Sequence, residues 1–499
     1  MNRDSPSNAA CEIVLGIDLG TQGLKVVAFD AASAQVLGSV SATVENLTPA
    51  PGWLEQEPQQ WWTTLCRLTR DLTAAKDIPR EAVVAIGLSG HMHSIVPLRA
   101  DGGIAHNCIV WADTRSREQA RRISAGANSP LWNPSIAPYS LAKILWLREN
   151  RPELTDEIEH ILWSKDYLRY RLTGKIAAEY SDASGTLMWD FAARAWDNAL
   201  LADFELSSDL LPDVRASNEA AGTLSERAAT DLDLSVNTVV AYGGGDCACA
   251  VVGSGIPGSD TLLINAGTAV QVIEMRAEPR PIDHDASIRY LFELGIEGRT
   301  FAIGALNSAG HSLEWWRRLL NERMTYAQFD ALAAAAKPNP EGPIFLPYLQ
   351  GTGTPRLLDG SFGSFVQLSA TADQSALTRA VMDGVAFGIK HCAEALVKDG
   401  DLSAKKILFT GGLPKSPLMR QILANVFDEE VRFRSFSDMS ALGAAAHGVV
   451  AAGLAPDARA WLAEFDYGEG RAAASPALRE HYTVTYERYK EWAARITSA

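Results

Sequence analysis

The sequence predicts two related α/β domains, each opening on a strand–turn–strand unit with glycine at its turn. Three observations carry this. The chain has 499 residues, more than a single hydrophobic core usually organises. "GIDLGTQGLKVVAFD" (Gly16–Asp30) and "TLLINAGTAVQVIEM" (Thr261–Met275) read alike, as strand, glycine turn and strand. Short apolar runs that end in glycine ("AVVAIGLSG", "TVVAYGGGD", "KILFTGG") alternate with helix-periodic stretches, as buried parallel strands with helical cover do.

The elements follow in order. Glu12 to Asp30 gives two strands, the second rich in the β-formers Val26, Val27 and Phe29, and "AQVLGSVSATV" adds a third to make a meander. Pro58 suits a first helical turn, and Trp61, Trp62, Leu65 and Leu68 recur at helical spacing behind it. "AVVAIGLSG" and "TVVAYGGGD" are buried strands. Gly and Ser concentrate between Val252 and Gly258, where the domain boundary is expected. The division is then a frayed, disordered tail over 1–10, an N-terminal domain over 11–252 and a C-terminal domain over 253–499. In the second half, Leu377, Val381, Val385, Ile389 and Leu396 mark one long buried helix. "SALGAAAHGVVAAG" is a small-residue helix suited to close packing.

Bulk properties exclude several classes. The formal charge is −15, the opposite of a nonspecific nucleic-acid binder. No run reaches the length of a membrane span and no signal-peptide core follows the polar start, so no membrane association and a cytoplasmic location are expected. The six cysteines are scattered without a CxxC pair, which fits a reducing compartment and packing roles.

Candidate chemistry lies at the glycine turns. No Walker-type GxxxxGK[ST] occurs. "DLGTQG" offers backbone N–H groups in a turn together with Thr21 and Gln22, an arrangement that can cradle an anion. "NAGTA" and "TGGLPKS" are a second and a third such turn. Asp18 is a carboxylate suited to hold Mg²⁺ through water. Asp246 follows three glycines, placed to cap a helix, to take a hydroxyl proton during phosphoryl transfer, or both. In "SGHMHSIVPL" (Ser89–Leu98), alternation puts His91 and His93 on one side of an extended segment. No third metal ligand accompanies them, so a polar floor for a hydroxylated ligand fits better. "IVWADTRS" adds Trp111 and Asp113, an aromatic face and a charged partner that suit a sugar, or in the case of Trp111 simple core packing.

These stretches, with "WLEQEPQQWW", "SKDYLRYRLTGKIAAEYSDASGTLMWD", "FLPYLQGTGTP" and "SALGAAAHG", resemble the FGGY carbohydrate kinases from about Ile13 to about Gly453, and within them the xylulose kinases. The resemblance implies an actin-like, ribonuclease H-like ATPase fold of two domains with a central cleft. It implies ATP, Mg²⁺ and a ketopentose, most simply D-xylulose, with a homodimer as a further expectation. It casts Asp246 as the catalytic base and Asp18 as the aspartate assisting Mg²⁺-ATP. His91, Met92, His93, Trp111, Asp113, Asp246 and Cys247 fall on the sugar side. Gly20, Thr21, Gln22, Lys25, Gly267, Thr268, Gly310, Glu314, Gly411, Gly412 and Ser416 fall on the nucleotide side.

The chain departs from the family pattern in four places. His91 stands for the usual glutamine, Cys247 for asparagine, "GTGTP" for "GERTP", and Ala269 for serine. Other acceptors (ribulose, erythritol, a gluconate-like acid) therefore stay open, as does a non-catalytic sugar-binding regulator on the same fold.

Overall fold

In the computed structural model, β1 (Ile13–Leu19) and β2 (Gly23–Asp30) form an antiparallel hairpin in which Asp18 stands opposite Lys25. β3 (Val36–Thr43) pairs with β2 and completes the meander. Pro58 opens α1 (Pro58–Ala75), which buries Trp61, Trp62, Leu65 and Leu68. β4 (Val83–Gly90) runs parallel to β1 and puts Ser89 opposite Asp18. Further on come α2 (Tyr180–Ser184), β5 (Ala220–Thr223), β6 (Val239–Ala241), β7 (Gly244–Gly245) and α3 (Asp246–Gly253). The sheet order is β5-β6-β4-β1-β2-β3, with β7 also paired parallel to β4. Three parallel segments thus end together, and their carboxyl ends carry Asp18, Ser89 and Asp246. Ligands of open α/β sheets bind at such ends. The structure describes residues 12–276, 279, 288–296, 298–358, 360–397 and 401–497. The expected disordered tail over 1–10, and Cys11, lie outside them.

A second seven-stranded sheet repeats this arrangement. β8 (Thr261–Ala266) and β9 (Val270–Arg276) form the hairpin. β10 (Tyr290–Glu293) and β11 (Thr300–Leu306) extend it on the β9 side. Then follow α4 (Ala309–Leu320), α5 (Gln374–Leu396), β12 (Lys406–Gly411), α6 (Pro417–Phe427), β13 (Val431–Arg434) and β14 (Glu469–Ala472). The order is β10-β11-β9-β8-β12-β13-β14, and β12 is parallel to β8 with Gly411 opposite Ala266. Of the apolar positions expected along α5, Val381, Val385, Ile389 and Leu396 are buried, and Leu377 is half-buried at the first turn.

The chain then forms α7 (Met439–Ala451), the small-residue helix. A Cβ on Gly16 would lie 2.0 Å from the Ala441 carbonyl oxygen, and one on Gly87 1.6 Å from that of Ala444. Only glycine lets β1 and β4 approach the α7 backbone so closely. Gly253 and Gly443 do the same between α3 and α7, with 2.0 and 1.9 Å to the facing carbonyl oxygens. α7 therefore packs with the first sheet, although the sequence assigned it to the second half. One compact unit comprises the described residues up to Ile256 together with Phe292–Thr300 and Asp438–Asp466, and the other holds the rest. Covered on both faces, β2 buries Val26, Val27, Ala28 and Phe29 without alternation, and Phe29 meets Trp461 edge-on at 6.0 Å. Among the described residues no helix is long and apolar enough to cross a membrane.

Candidate active site

At the carboxyl ends of β1 and β4, Ser89 Oγ donates to Asp18 Oδ1 at 2.8 Å. Both Asp18 and Asp246 are half-buried. Burial pushes the Asp18 carboxyl up, against the Ser89 hydrogen bond and the Lys25 charge. Asp246 is the first residue of α3, not its cap: Gly245 is the N-cap, and Asp246 Oδ1 accepts the N–H of Cys247 at 2.7 Å. A helix N-terminus favours an anion. Burial, then the neighbouring Asp18 charge, nevertheless raise the Asp246 carboxyl to about 7. The site thus holds two carboxylates within electrostatic reach, one of them poised to exchange a proton near neutrality. Lys25, opposite Asp18, is ion-paired to Asp438 at the start of α7.

The segment after β4 does not stay extended. His93 has φ of +66°, so the expected alternation breaks and the two histidines part. His91 is fully buried behind Trp61, with Nδ1 2.6 Å from Ser94 Oγ. Burial lowers its pKa to about 3, and its place is in the core instead of on the sugar side. His93 Nδ1 lies 2.5 Å from the Gly185 carbonyl oxygen. Burial lowers the His93 pKa to about 4. A carbonyl only accepts, so neutral His93 carries its proton on Nδ1 and leaves Nε2 as an acceptor. Met92 packs on Gly245: a Cβ there would sit 2.5 Å from Met92 Cγ.

Trp111 is 41% exposed, and its Nε1–H donates to Thr21 Oγ1 at 2.8 Å. The aromatic face and the β1–β2 turn are therefore joined. Asp113 is different. It is fully buried, accepts from Leu54 N–H at 2.5 Å and is ion-paired to buried Arg115 at 2.8 Å. Arg115 in turn lies over Trp53, 3.9 Å from the ring centroid, and pairs with Glu55. The Asp113 carboxylate is committed inside the fold and does not join the Asp18–Asp246 group.

In the second unit, the β8–β9 turn hands its carbonyls to α4: Gly310 N–H donates to Gly267 O and His311 N–H to Thr268 O, both at 3.1 Å. Thr268 is exposed. Gly411, with φ of +92°, lies beside Ala266, and Gly412 faces open space. Gly267, Thr268, Gly310, Gly411 and Gly412 therefore cluster. Two expected partners turn elsewhere. Glu314 binds Arg317, Arg318 and Tyr326 with its two oxygens, and the Arg317 hydrogen bonds hold its carboxyl down at about 2. Ser416 caps α6 through Met419 N–H and donates to Asp330.

Two features escaped sequence reasoning. Lys143, fully buried, donates to the carbonyl oxygens of His93 and Pro138, and burial lowers its pKa to about 7. Lys165, Asp166, Arg169, Glu179 and Asp182 form a buried charge network in which Lys165 Nζ lies 2.6 Å from Asp166, 2.8 Å from Asp182 and 3.3 Å from Glu179. The signal for the network was the density of ionisable residues in "SKDYLRYRLTGKIAAEYSDASG"; Lys143 lies outside that stretch. Among the described residues no group of three or more His, Cys, Asp or Glu side chains is arranged to hold a metal. The all-oxygen pair Asp18–Asp246 still fits a hydrated Mg²⁺, which needs only one or two carboxylates beside water and phosphate.

The model for the N-terminal domain of the FGGY family of carbohydrate kinases matches residues 13–253, and that for its C-terminal domain matches 262–452. The xylulose kinase of Staphylococcus epidermidis is 30% identical over 435 residues, 87% of each chain. That of Lactococcus lactis is 29% identical over 483 residues, 96% of each. A solved structure described as a xyloylose kinase from Brucella ovis superposes with a TM-score of 0.89 at 29% identity, covering 98% of this chain and 100% of that one.

Proposed function

We propose, from the premise that the chain belongs to the FGGY family of carbohydrate kinases and is thus a phosphotransferase with an alcohol acceptor, that it converts D-xylulose to D-xylulose 5-phosphate. The xylulose kinases at about 30% identity support that substrate. One observation carries the chemistry: Asp246 sits beside Asp18 at the strand ends with its carboxyl raised to about 7. Asp246 removes the proton of the terminal sugar hydroxyl. The freed oxygen forms a bond to the γ-phosphorus while the bond from that phosphorus to the β–γ bridging oxygen breaks, and ADP leaves with the electron pair.

His93 Nε2 accepts from a second sugar hydroxyl, Met92 walls the pocket against Gly245, and the sugar stacks on Trp111. Gly20 N–H is spent on Gly23 O at 2.9 Å, so the Thr21 and Gln22 amides serve the phosphate. Asp18 is the residue that would hold Mg²⁺, which would supply charge neutralisation on the phosphates. Gly267, Thr268, Gly310, Gly411 and Gly412 present backbone to the nucleotide.

A second reading is another ketose or polyol acceptor. Its support is Cys247, a half-buried thiol beside the base where the family pattern has an asparagine amide. Comparing kcat/KM of the purified protein for xylulose, ribulose, erythritol and gluconate decides between them. Xylulose ahead by tenfold or more supports the first reading, and a preference for another acceptor refutes it.

A further inference from the structure

Beneath the base, α2 touches both halves of the site. At its start, Ser181 Oγ donates to Glu179 Oε1 at 2.6 Å and accepts the N–H of Gly245 at 2.8 Å. A hydroxyl has one proton. With that proton committed to Glu179, a lone pair is left for Gly245, the residue before Asp246. Glu179 is itself fixed. Its carboxylate caps α2 through the N–H groups of Ser181 and Asp182, both at 2.7 Å. It also accepts from Ser217 Oγ at 2.9 Å and faces Lys165 at 3.3 Å. Every member of this set is buried.

At the far end of α2, the Gly185 carbonyl oxygen holds His93 Nδ1. A Cβ on Gly185 would lie 2.9 Å from that nitrogen and 3.2 Å from Met92 Cε. The Gly185 backbone has φ of −86°, which alanine adopts freely. Glycine is needed there for space, not for its conformational range.

We propose that the Glu179–Gly185 turn is a positioning strut, with Ser181 setting the base and Gly185 setting the sugar-side His93. The strut rests on the reading of Asp246 as the base. Its two ends predict separable losses. Ser181→Ala leaves the buried Gly245 N–H unpaired and lets Asp246 drift. Misplacing a catalytic group by about 1 Å costs up to about a hundredfold. Gly185→Ala pushes His93 and Met92 toward the sugar and leaves the Gly245 bond intact.

The test is steady-state kinetics of the full chain with xylulose and MgATP. Ser181→Ala is expected to lower kcat about 10- to 100-fold with both KM values within about 3-fold. Ser181→Thr, which keeps the hydroxyl, returns kcat to within about 3-fold. Gly185→Ala raises the sugar KM about 10-fold and spares the ATP KM. Ser217→Ala removes another donor to Glu179 without touching Gly245, and its kcat stays within about 2-fold. Wild-type kcat in Ser181→Ala, or an equal kcat loss in Ser217→Ala, overturns the strut. Should Ser181→Ala not fold, Gly185→Ala carries the test, and an unmoved sugar KM overturns it. Asp246→Asn separates the two readings. Transfer retained there overturns the base and the strut with it, whereas transfer lost there beside an unaffected Ser181→Ala overturns the strut alone.

Discussion

Replacing Asp246 by asparagine should abolish phosphoryl transfer and, at neutral and alkaline pH, make the protein more stable. The carboxyl is raised from an ordinary 3.8 to about 7, by burial first and by Asp18 second. With the folded-state pKa above the unfolded one, the folded protein binds the extra proton. Its stability is therefore lost as pH rises from about 4 through about 7. At pH 8 nearly the whole difference, about 4 kcal/mol, weighs against folding, and at pH 5 only about 2 kcal/mol does. Asparagine keeps the shape and has no charge to bury. The stability gap between Asp246→Asn and wild type should then widen by about 2–3 kcal/mol from pH 5 to pH 8. Equilibrium urea unfolding read by tryptophan fluorescence suits this. Of the tryptophans only Trp315, Trp316 and Trp492 lie in the second unit, so the signal reports the unit that holds Asp246. A pH-independent offset between the two curves would show that Asp246 is not held near neutrality and would refute the reasoning.

Other consequences are more direct. In the wild type, kcat/KM for the sugar should fall about tenfold per pH unit below about 7, because in its proposed role Asp246 must be ionised; a plateau down to pH 5 argues against that role. Asp18→Ala should cut kcat on the order of a hundredfold or more with no loss of melting temperature, since burial makes that charge a burden on the fold. If it only lowers the melting temperature, the turn is structural. Gly87→Ala should cost at least about 3 kcal/mol, because its Cβ meets the Ala444 carbonyl oxygen at 1.6 Å; a folded variant of normal melting temperature would mean that α7 can shift away.

Much of this was legible in the sequence because it depends on local patterns. The hairpins show in apolar runs around glycine, α5 in its periodicity, and Asp18 and Asp246 in their place after strands. Part of what stayed hidden depends on contacts between distant segments, and part on local detail that a pattern does not carry. Asp113 looked free because Leu54 donates to it only after folding and because Arg115, its ion-pair partner, is itself held in place by Glu55. Glu314 has its partners within a dozen residues, yet a row of Glu and Arg on a helix does not say which side chains are spent on one another. His91 and His93 were paired by an alternation that one left-handed residue breaks. The close fit of α7 against Gly16 and Gly87, more than 350 positions earlier in the chain, left no mark in the local sequence.

The duplication is most informative where the two hairpins differ. By register, Asp18 stands opposite Lys25 on one side and Ser89 on the other. The corresponding Asn265 stands opposite Gln271 and Thr410. "DLGT" becomes "NAGT", and a charged pair becomes a neutral one. The geometry is preserved while the charge is removed. A carboxylate is useful where a cation and a proton must be handled. It is a hindrance where a backbone turn faces only polyphosphate, which it repels. Asn265→Asp should therefore restore the charge in the wrong half. One added charge beside a polyphosphate in a half-exposed site costs on the order of 1–2 kcal/mol, or about tenfold in the KM for ATP. The KM for the sugar should not move, because Asn265 belongs to the unit without Asp246 and His93. Steady-state titration of ATP at saturating sugar measures this. An unchanged ATP KM in a folded variant would mean that the Gly267–Thr268 turn is a hairpin turn and nothing more.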